Sequence, residues 1–232
     1  MSLATRRLPG EFGLEVDLDP HIPLERSDQE ELRSLFLRHH LLLIRSDGMT
    51  VEETMRICNY VATVVLEEGY EPAYYVSDPE GDTVGNSEIS FHIDTNYIEK
   101  PHLGASLYAE DVDDVSAPTL FASSARAALE IPDGLRLKVW PLIGVHKLDY
   151  TPYLRSLGGS PVHHPVLWTH PLTNEPILFL SQRDHVIEGL DKEDEEAIVT
   201  ELFSYLYSPE NIYEHQWSVG DLVIWDNLAV QH

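Results

Sequence analysis

The spacing of apolar residues divides the chain into two textures. In SDQEELRSLFLRHH, from Ser27, apolar positions recur at helical intervals behind Ser27 and Glu30, which have capping-box spacing. LLLIRS, from Leu41, is a continuous apolar run suited to a buried strand. Thr50 and Glu53 repeat the capping-box spacing ahead of a second helix, predicted to run to about Leu66. From about Tyr74 the runs shorten to LGASLYAE, TLFAS, LIGVHKL, PVLWTH and PILFLS, separated by Pro, Gly, Asn and Asp. One more helix is predicted at DKEDEEAIVTELFSYLYS, where Asp191 caps and the acidic first turn suits the helix dipole. EHQWSVGDLVIWDN then reads as a hairpin turning at Gly220-Asp221. No internal repeat, low-complexity tract or linker interrupts the order. Two helices, many short strands, a late helix and a final hairpin predict one α+β domain over residues 1–232, built around an antiparallel β-sandwich.

Composition narrows the function classes. A hydrophobic content of 43%, with four Trp, 11 Tyr and six Phe, supports a packed core rather than disorder. The net charge of −25, from 40 acidic and 15 basic residues, argues against nucleic acid or an anionic membrane as partner. The single cysteine, Cys58, rules out an intrachain disulfide, and its setting in RICNYVATVVL reads as an inert thiol on a buried helix face. No 18-residue apolar run occurs, and MSLATRRLPG lacks an apolar signal core. A soluble, cytoplasmic protein is the expectation.

Candidate chemistry begins at EISFHIDTNY, Glu88 to Tyr97. In an extended strand, residues i and i+2 share a face, so His92 and Asp94 would project side by side, opposite Phe91 and Ile93. Such a pair can hold a metal, and it is equally the pattern of a hydrogen-bonded pair on a solvated strand. A mononuclear non-haem Fe(II) site needs two His and one carboxylate on one face of the ion, so a second histidine is required. His39 and His40 end a helix, where cationic side chains meet the dipole. His163 and His164 lie in a Gly/Pro-rich loop, and His21, His102, His146, His170, His185 and His215 stand isolated. His232 differs because it closes WSVGDLVIWDNLAVQH.

That stretch resembles the C-terminal signature of the taurine dioxygenase (TauD/TfdA) family of Fe(II)/2-oxoglutarate-dependent dioxygenases. There, Trp-x-x-Gly-Asp leads to Trp-Asp-Asn and then to the distal iron histidine. Trp217, Gly220, Asp221, Trp225, Asp226, Asn227 and His232 match that pattern, and FHID matches the family's proximal His-x-Asp. FGLEVDL and LRSLFLRHHLLLIRSDGMTVEE resemble the family's opening strand, helix, strand and helix. APTLFASSARAALEIPDGL resembles the block after the proximal ligands, in which a threonine, here Thr119, contacts 2-oxoglutarate. HHPVLWTHPLTNEPILFLS resembles a later block, so the resemblance covers nearly the whole chain.

The resemblance implies a double-stranded β-helix (jelly-roll) core flanked by helices, with Fe(II) held by His92, Asp94 and His232. It implies 2-oxoglutarate and O2 as cosubstrates, a small-molecule substrate oxidised at a C–H bond with release of succinate and CO2, and a homo-oligomer. Tyr74, Tyr75, Asn96 and Tyr97 flank the proximal ligands and are candidates for the substrate pocket, with plain packing as the alternative. Arg183 and Arg155 are candidates for an anionic substrate, or solvated surface residues. Trp217 and Trp225 read as core, and Asn227 as a source of turn or ligand-supporting hydrogen bonds.

Two departures accompany the match. Leu228 stands where the family usually has Arg. The family also places an arginine about ten residues beyond the distal histidine, as a bidentate partner for the far carboxylate of 2-oxoglutarate. The sequence stops at His232, so a final strand and this arginine are expected in a tail beyond it. Two alternatives stay open: a non-catalytic ligand-binding jelly roll, and a metalloenzyme of the same fold that does not use 2-oxoglutarate.

Overall fold

The computed structural model describes residues 3–64, 89–112, 117–147, 160–183 and 185–232, so Tyr74, Tyr75 and Arg155 lie outside the described residues. The first half runs β1 (Ala4–Arg7), β2 (Leu14–Asp17), α1 (Arg26–His39), β3 (Leu41–Arg45), α2 (Val51–Val61), β4 (Gly104–Tyr108), β5 (Thr119–Ser123), α3 (Ser124–Glu130) and α4 (Asp133–Val139). The second runs β6 (Ile143–His146), β7 (Val162–Pro165), β8 (Leu167–Thr169), β9 (Pro176–Leu178), β10 (Val186–Ile187), α5 (Lys192–Leu206), β11 (Ile212–His215), β12 (Asp221–Asp226) and β13 (Val230–Gln231). Helices and several sheets in one chain make an α+β architecture. Among the described residues, no helix is long and apolar enough to cross a membrane.

The largest sheet has the order β1-β2-β3-β12-β4, and a three-stranded sheet has the order β11-β5-β13. Strands β3 and β12 explain how these layers stack. Leu42, Ile44, Leu222 and Ile224 face Leu32 and Phe36 of α1 and Ile57 and Val61 of α2. The alternate residues Leu41, Leu43, Val223 and Trp225 face Phe121, Tyr213 and Val230 of the second sheet. Both faces of these strands are therefore buried, which is why LLLI reads as an unbroken apolar run. A further core joins α3, α4 and α5 through Ala127, Leu135 and Leu202 to Val166, Leu178 and Leu180.

Several local expectations meet a correction. The α1 helix starts at Arg26 behind Glu25, which makes no side-chain cap, so Ser27 lies inside the helix and the Ser27/Glu30 box does not form. The Thr50/Glu53 box does form: Thr50 Oγ1 accepts from the Glu53 N–H, and Glu53 accepts from the Thr50 N–H. The α2 helix ends at Val61 rather than near Leu66, because Ala62 is already extended. The sandwich is not wholly antiparallel, since β2 and β3 pair in parallel on either side of the α1 crossover. The seven-residue helices α3 and α4 were not expected; each is too short to show a full apolar period. Asp191 caps α5 as expected, accepting from the Asp194 N–H. Cys58 is half-buried beside Ser106, and burial pushes its thiol up, in keeping with an inert group.

The Gly220-Asp221 turn is real, but β11 and β12 do not form a hairpin; they belong to different sheets. The turn carries the chain from one layer to the other. Gly220 has φ of +87°, and a Cβ there would collide with the Ser46 carbonyl oxygen. Its own carbonyl accepts from Ser46 N–H, and its N–H donates to Ala109.

At the other end of β12 a buried carboxylate gathers three distant segments. The α1 helix stops where His40 takes a left-handed φ of 60°, which turns its side chain into the interior. His170 Nδ1 accepts from the N–H groups of Leu172 and Thr173, which leaves Nε2–H to face Asp226 at 3.0 Å. His40 Nδ1 lies 3.6 Å from the same oxygen, Asp226 Oδ2. Asp226 Oδ1 also accepts from the N–H groups of Leu228 and Ala229. Burial opposes the charged form of Asp226, but the two imidazoles outweigh it and hold the carboxyl below its ordinary range.

Two outcomes follow from this packing. Gly220→Ala should cost about 2 kcal/mol or more, read as a shift in the urea midpoint, since both φ and the Ser46 contact oppose a side chain. Asp226→Ala should cost ~3 kcal/mol or more, because it strands the buried groups that now bond to it. The stability that Asp226 contributes is present above about pH 4 and is lost as pH falls through the depressed folded value. Acid titration of stability in Asp226→Asn should lack that component.

Candidate metal centre

The extended strand on which His92 and Asp94 would share a face is not a regular strand of the fold. Among its described residues, 89–93 form no assigned strand and the chain turns at residues 94–97, with Thr95 at a left-handed φ of 54°. The segment is nonetheless fixed to the C-terminus by a reciprocal backbone pair. His92 N–H donates to the His232 carbonyl at 3.0 Å, and His232 N–H donates to the His92 carbonyl at 3.2 Å. Phe91 stacks on Tyr207, and Ile93 is buried with Ala125, Ile177 and Phe179. Apolar packing on one side thus leaves the polar side chains on the other.

His232 follows β13, whose Val230 and Gln231 pair with Ser123 and Ala122 of β5. Gln231 is pinned from three sides: it donates to Ser124 Oγ and the Leu180 carbonyl, and it accepts from Tyr207 OH. The His232 ring packs against Trp225 at 4.6 Å and Phe121 at 6.4 Å between centroids. Trp225 is therefore a core residue that also walls a candidate ligand.

The three side chains meet. His92 Nε2 lies 3.4 Å from Asp94 Oδ1, His232 Nε2 lies 4.0 Å from Asp94 Oδ2, and the two imidazole centroids are 4.2 Å apart. One donor atom from each falls within 4.8 Å of the others, and no other such group of three occurs among the described residues. His92 Nδ1–H donates to the Ser90 carbonyl, which directs the Nε2 lone pair at the shared space. Burial pushes His232 down to about 4, so its imidazole is neutral at pH 7. Burial works against ionised Asp94, yet His92, His232 and Arg183 hold its carboxyl below the ordinary range. Two neutral imidazoles and one carboxylate are the donor set that a divalent first-row metal takes. The residues present fit such an ion.

The remaining candidates take different positions. Thr119 opens β5 opposite His215, and its Oγ1 accepts from Trp217 Nε1 at 3.0 Å. It shares a strand face with Phe121, the residue whose ring reaches His232. Asn96 is only 1% exposed, and its carbonyl accepts from His164 Nε2, whereas Tyr97 is half-buried. The Arg183 N–H donates to the Phe91 carbonyl, which sets that loop beside the proximal ligands. Sequence reading left His40 and His170 as a helix end and an isolated histidine. Their convergence on Asp226 spans 186 and 56 positions and has no local signature.

Comparison with known proteins identifies the family. Residues 4–232 match the family described as taurine catabolism dioxygenase TauD, TfdA family. The (S)-phenoxypropionate/alpha-ketoglutarate-dioxygenase of Sphingobium herbicidovorans is 28% identical over 160 residues, covering 62% of this chain and 55% of that protein. The chain thus spans little more than half the length of such relatives. An alpha-ketoglutarate-dependent sulfate ester dioxygenase of Pseudomonas putida is 24% identical, with 100% of this chain and 84% of that protein covered. A taurine dioxygenase structure from Burkholderia xenovorans has a TM-score of 0.80 at 23% identity, covering 100% of this chain and 83% of that one. AAD-2, solved with Mn(II) and N-oxalylglycine, also has a TM-score of 0.80, at 22% identity and 100% and 90% coverage. These last two share the fold. With the match running from Ala4 to His232, the chain belongs to the TauD/TfdA family.

Proposed function

We propose that this chain carries the catalytic site of an Fe(II)- and 2-oxoglutarate-dependent dioxygenase that oxidises a C–H bond of a small molecule, releasing succinate and CO2. The observation that carries this reading is the convergence of His92, Asp94 and His232 in a chain of this family. We read the largest sheet and the β11-β5-β13 sheet as the two halves of a double-stranded β-helix, with α1 and α2 outside it. Relatives named for phenoxypropionate and for sulfate esters support a small-molecule substrate.

Iron, when bound with 2-oxoglutarate and O2, supplies the oxidising chemistry. The chain's share is to hold, orient and shield. His92 and His232 present Nε2 lone pairs, and Asp94 presents the anionic oxygen. Trp225 and Phe121 exclude water from one side of His232, while the Asp94 side chain keeps 41% of its surface exposed and marks the open approach. Thr119 is assigned to 2-oxoglutarate. Its oxygen accepts from Trp217 Nε1, which leaves the hydroxyl proton to donate to a carboxylate. Tyr97 is assigned to the pocket wall, and buried Asn96 to its support.

Anaerobic addition of Fe(II) and then 2-oxoglutarate should produce a visible charge-transfer band that is lost in His92→Ala and Asp94→Ala. Metal binding without the band would favour a metalloenzyme that does not use 2-oxoglutarate, and no binding at all would leave a ligand-binding fold. Affinity should fall in acid, because protons compete with the metal for Asp94 and His232. Thr119→Ala should raise the KM for 2-oxoglutarate by roughly fivefold to tenfold, the value of one hydrogen bond, and Thr119→Ser should restore it. Steady-state succinate release measures both.

A further inference from the structure

Asn227 is fully buried in the turn between β12 and β13, and its side chain is an uncharged amide. Its hydrogen bonds all go to backbone on the far side of the site. Oδ1 accepts from the Asp94 N–H at 2.9 Å, and Nδ2 donates to the Asp94 carbonyl at 2.8 Å. The same Nδ2 donates to the His102 carbonyl at 3.0 Å, and the Asn227 N–H donates to the Leu103 carbonyl at 2.9 Å. One side chain therefore holds both peptide groups flanking the Cα of Asp94, as a neighbouring strand would.

We infer that Asn227 is the positioning residue that sets the Asp94 carboxylate against the two imidazoles. This inference rests on the metal-centre reading above and assigns the device that builds it. The proximal segment touches the C-terminal turn at two rungs. The first is the reciprocal backbone pair between His92 and His232, and the second is the side-chain pair between Asn227 and Asp94. The first rung aligns the histidines. It does not reach the peptide at Asp94, where the chain turns and Thr95 adopts a left-handed φ. A turn of this kind has several accessible geometries, and each would swing the carboxylate differently. Asn227 selects one. It is itself immobilised, because Asp226 accepts from the Leu228 and Ala229 N–H groups and so fixes the turn that carries it. The far end of the proximal turn is closed independently, as His102 N–H donates to Thr95 Oγ1.

Amide chemistry is required at this position. Only a group with one acceptor and a two-hydrogen donor reaches the Asp94 N–H, the Asp94 carbonyl and the His102 carbonyl together. An aspartate of the same shape would keep the first bond and set a carboxylate oxygen against two carbonyls.

Mn(II) titration of metal-free protein, followed by electron paramagnetic resonance or calorimetry, tests this without turnover. Asn227→Ala should weaken Mn(II) binding by about tenfold to 100-fold in protein that still melts cooperatively. Asn211→Ala is the matched control. Asn211 is equally buried and donates to two backbone carbonyls, of Ser123 and Leu206, neither of them in the proximal turn. It should lower the melting temperature while leaving Mn(II) affinity within about threefold of wild type. If Asn227→Ala does not fold, Asn227→Asp decides the matter by sign. Added negative charge alone would tighten a divalent cation, whereas loss of positioning weakens it by about tenfold. Unchanged or tighter Mn(II) binding in the Asn227 variants, with wild type binding normally, overturns this inference alone. Wild type that binds no Mn(II) overturns the metal-centre reading and this inference with it.

Discussion

The antiparallel seam between residues 92–94 and the C-terminal turn is the constraint on which the site depends. Asp94 stays ionised partly because the imidazoles face it, and His232 stays neutral because it is buried. Nothing in those side chains alone would keep them in register. Register comes from the hydrogen bonds that join His92 to His232 and Asp94 to Asn227, none of which uses a candidate ligand atom. The donor set is thus pre-organised by backbone pairing.

That seam is in turn held by a core buried on both sides of β12. Leu222 and Ile224 bind the helices, and Val223 and Trp225 bind the second sheet, so β12 cannot slip by one residue without exposing both sets. Asp226 ends the strand with a buried charge satisfied by His170, by the nearby His40 and by the N–H groups of the next turn. Breaking that group would release the turn that carries Asn227 and, five residues on, His232. Apolar packing fixes where β12 lies, and a buried polar group fixes where the chain goes afterwards.

Much of this was legible in the residues. LLLIR reads as a buried strand because both of its faces are covered, and Thr50 and Glu53 form the box their spacing predicts. Asp191 caps its helix, and His92, Asp94 and His232 converge as their motif implies. Errors fell where spacing is a weak signal. Ser27 and Glu30 have the box spacing, yet the helix starts at Arg26 behind Glu25 and the pair is not used. Gly220 and Asp221 make a turn, and a turn does not say which strands it joins.

The resemblance of two motifs supplied the three candidate ligands, whereas the residues themselves determined the alternation of apolar positions, the caps at Thr50 and Asp191 and the turn at Gly220-Asp221. These are local matters, decided by side-chain chemistry and by neighbours within one turn or one pleat. Only the tertiary structure decided that β11 and β12 lie in different sheets, that His40 and His170 meet at Asp226, and that Asn227 holds the Asp94 turn. Those contacts join positions 56 to 186 residues apart, where no periodicity reaches and burial alone selects the partner.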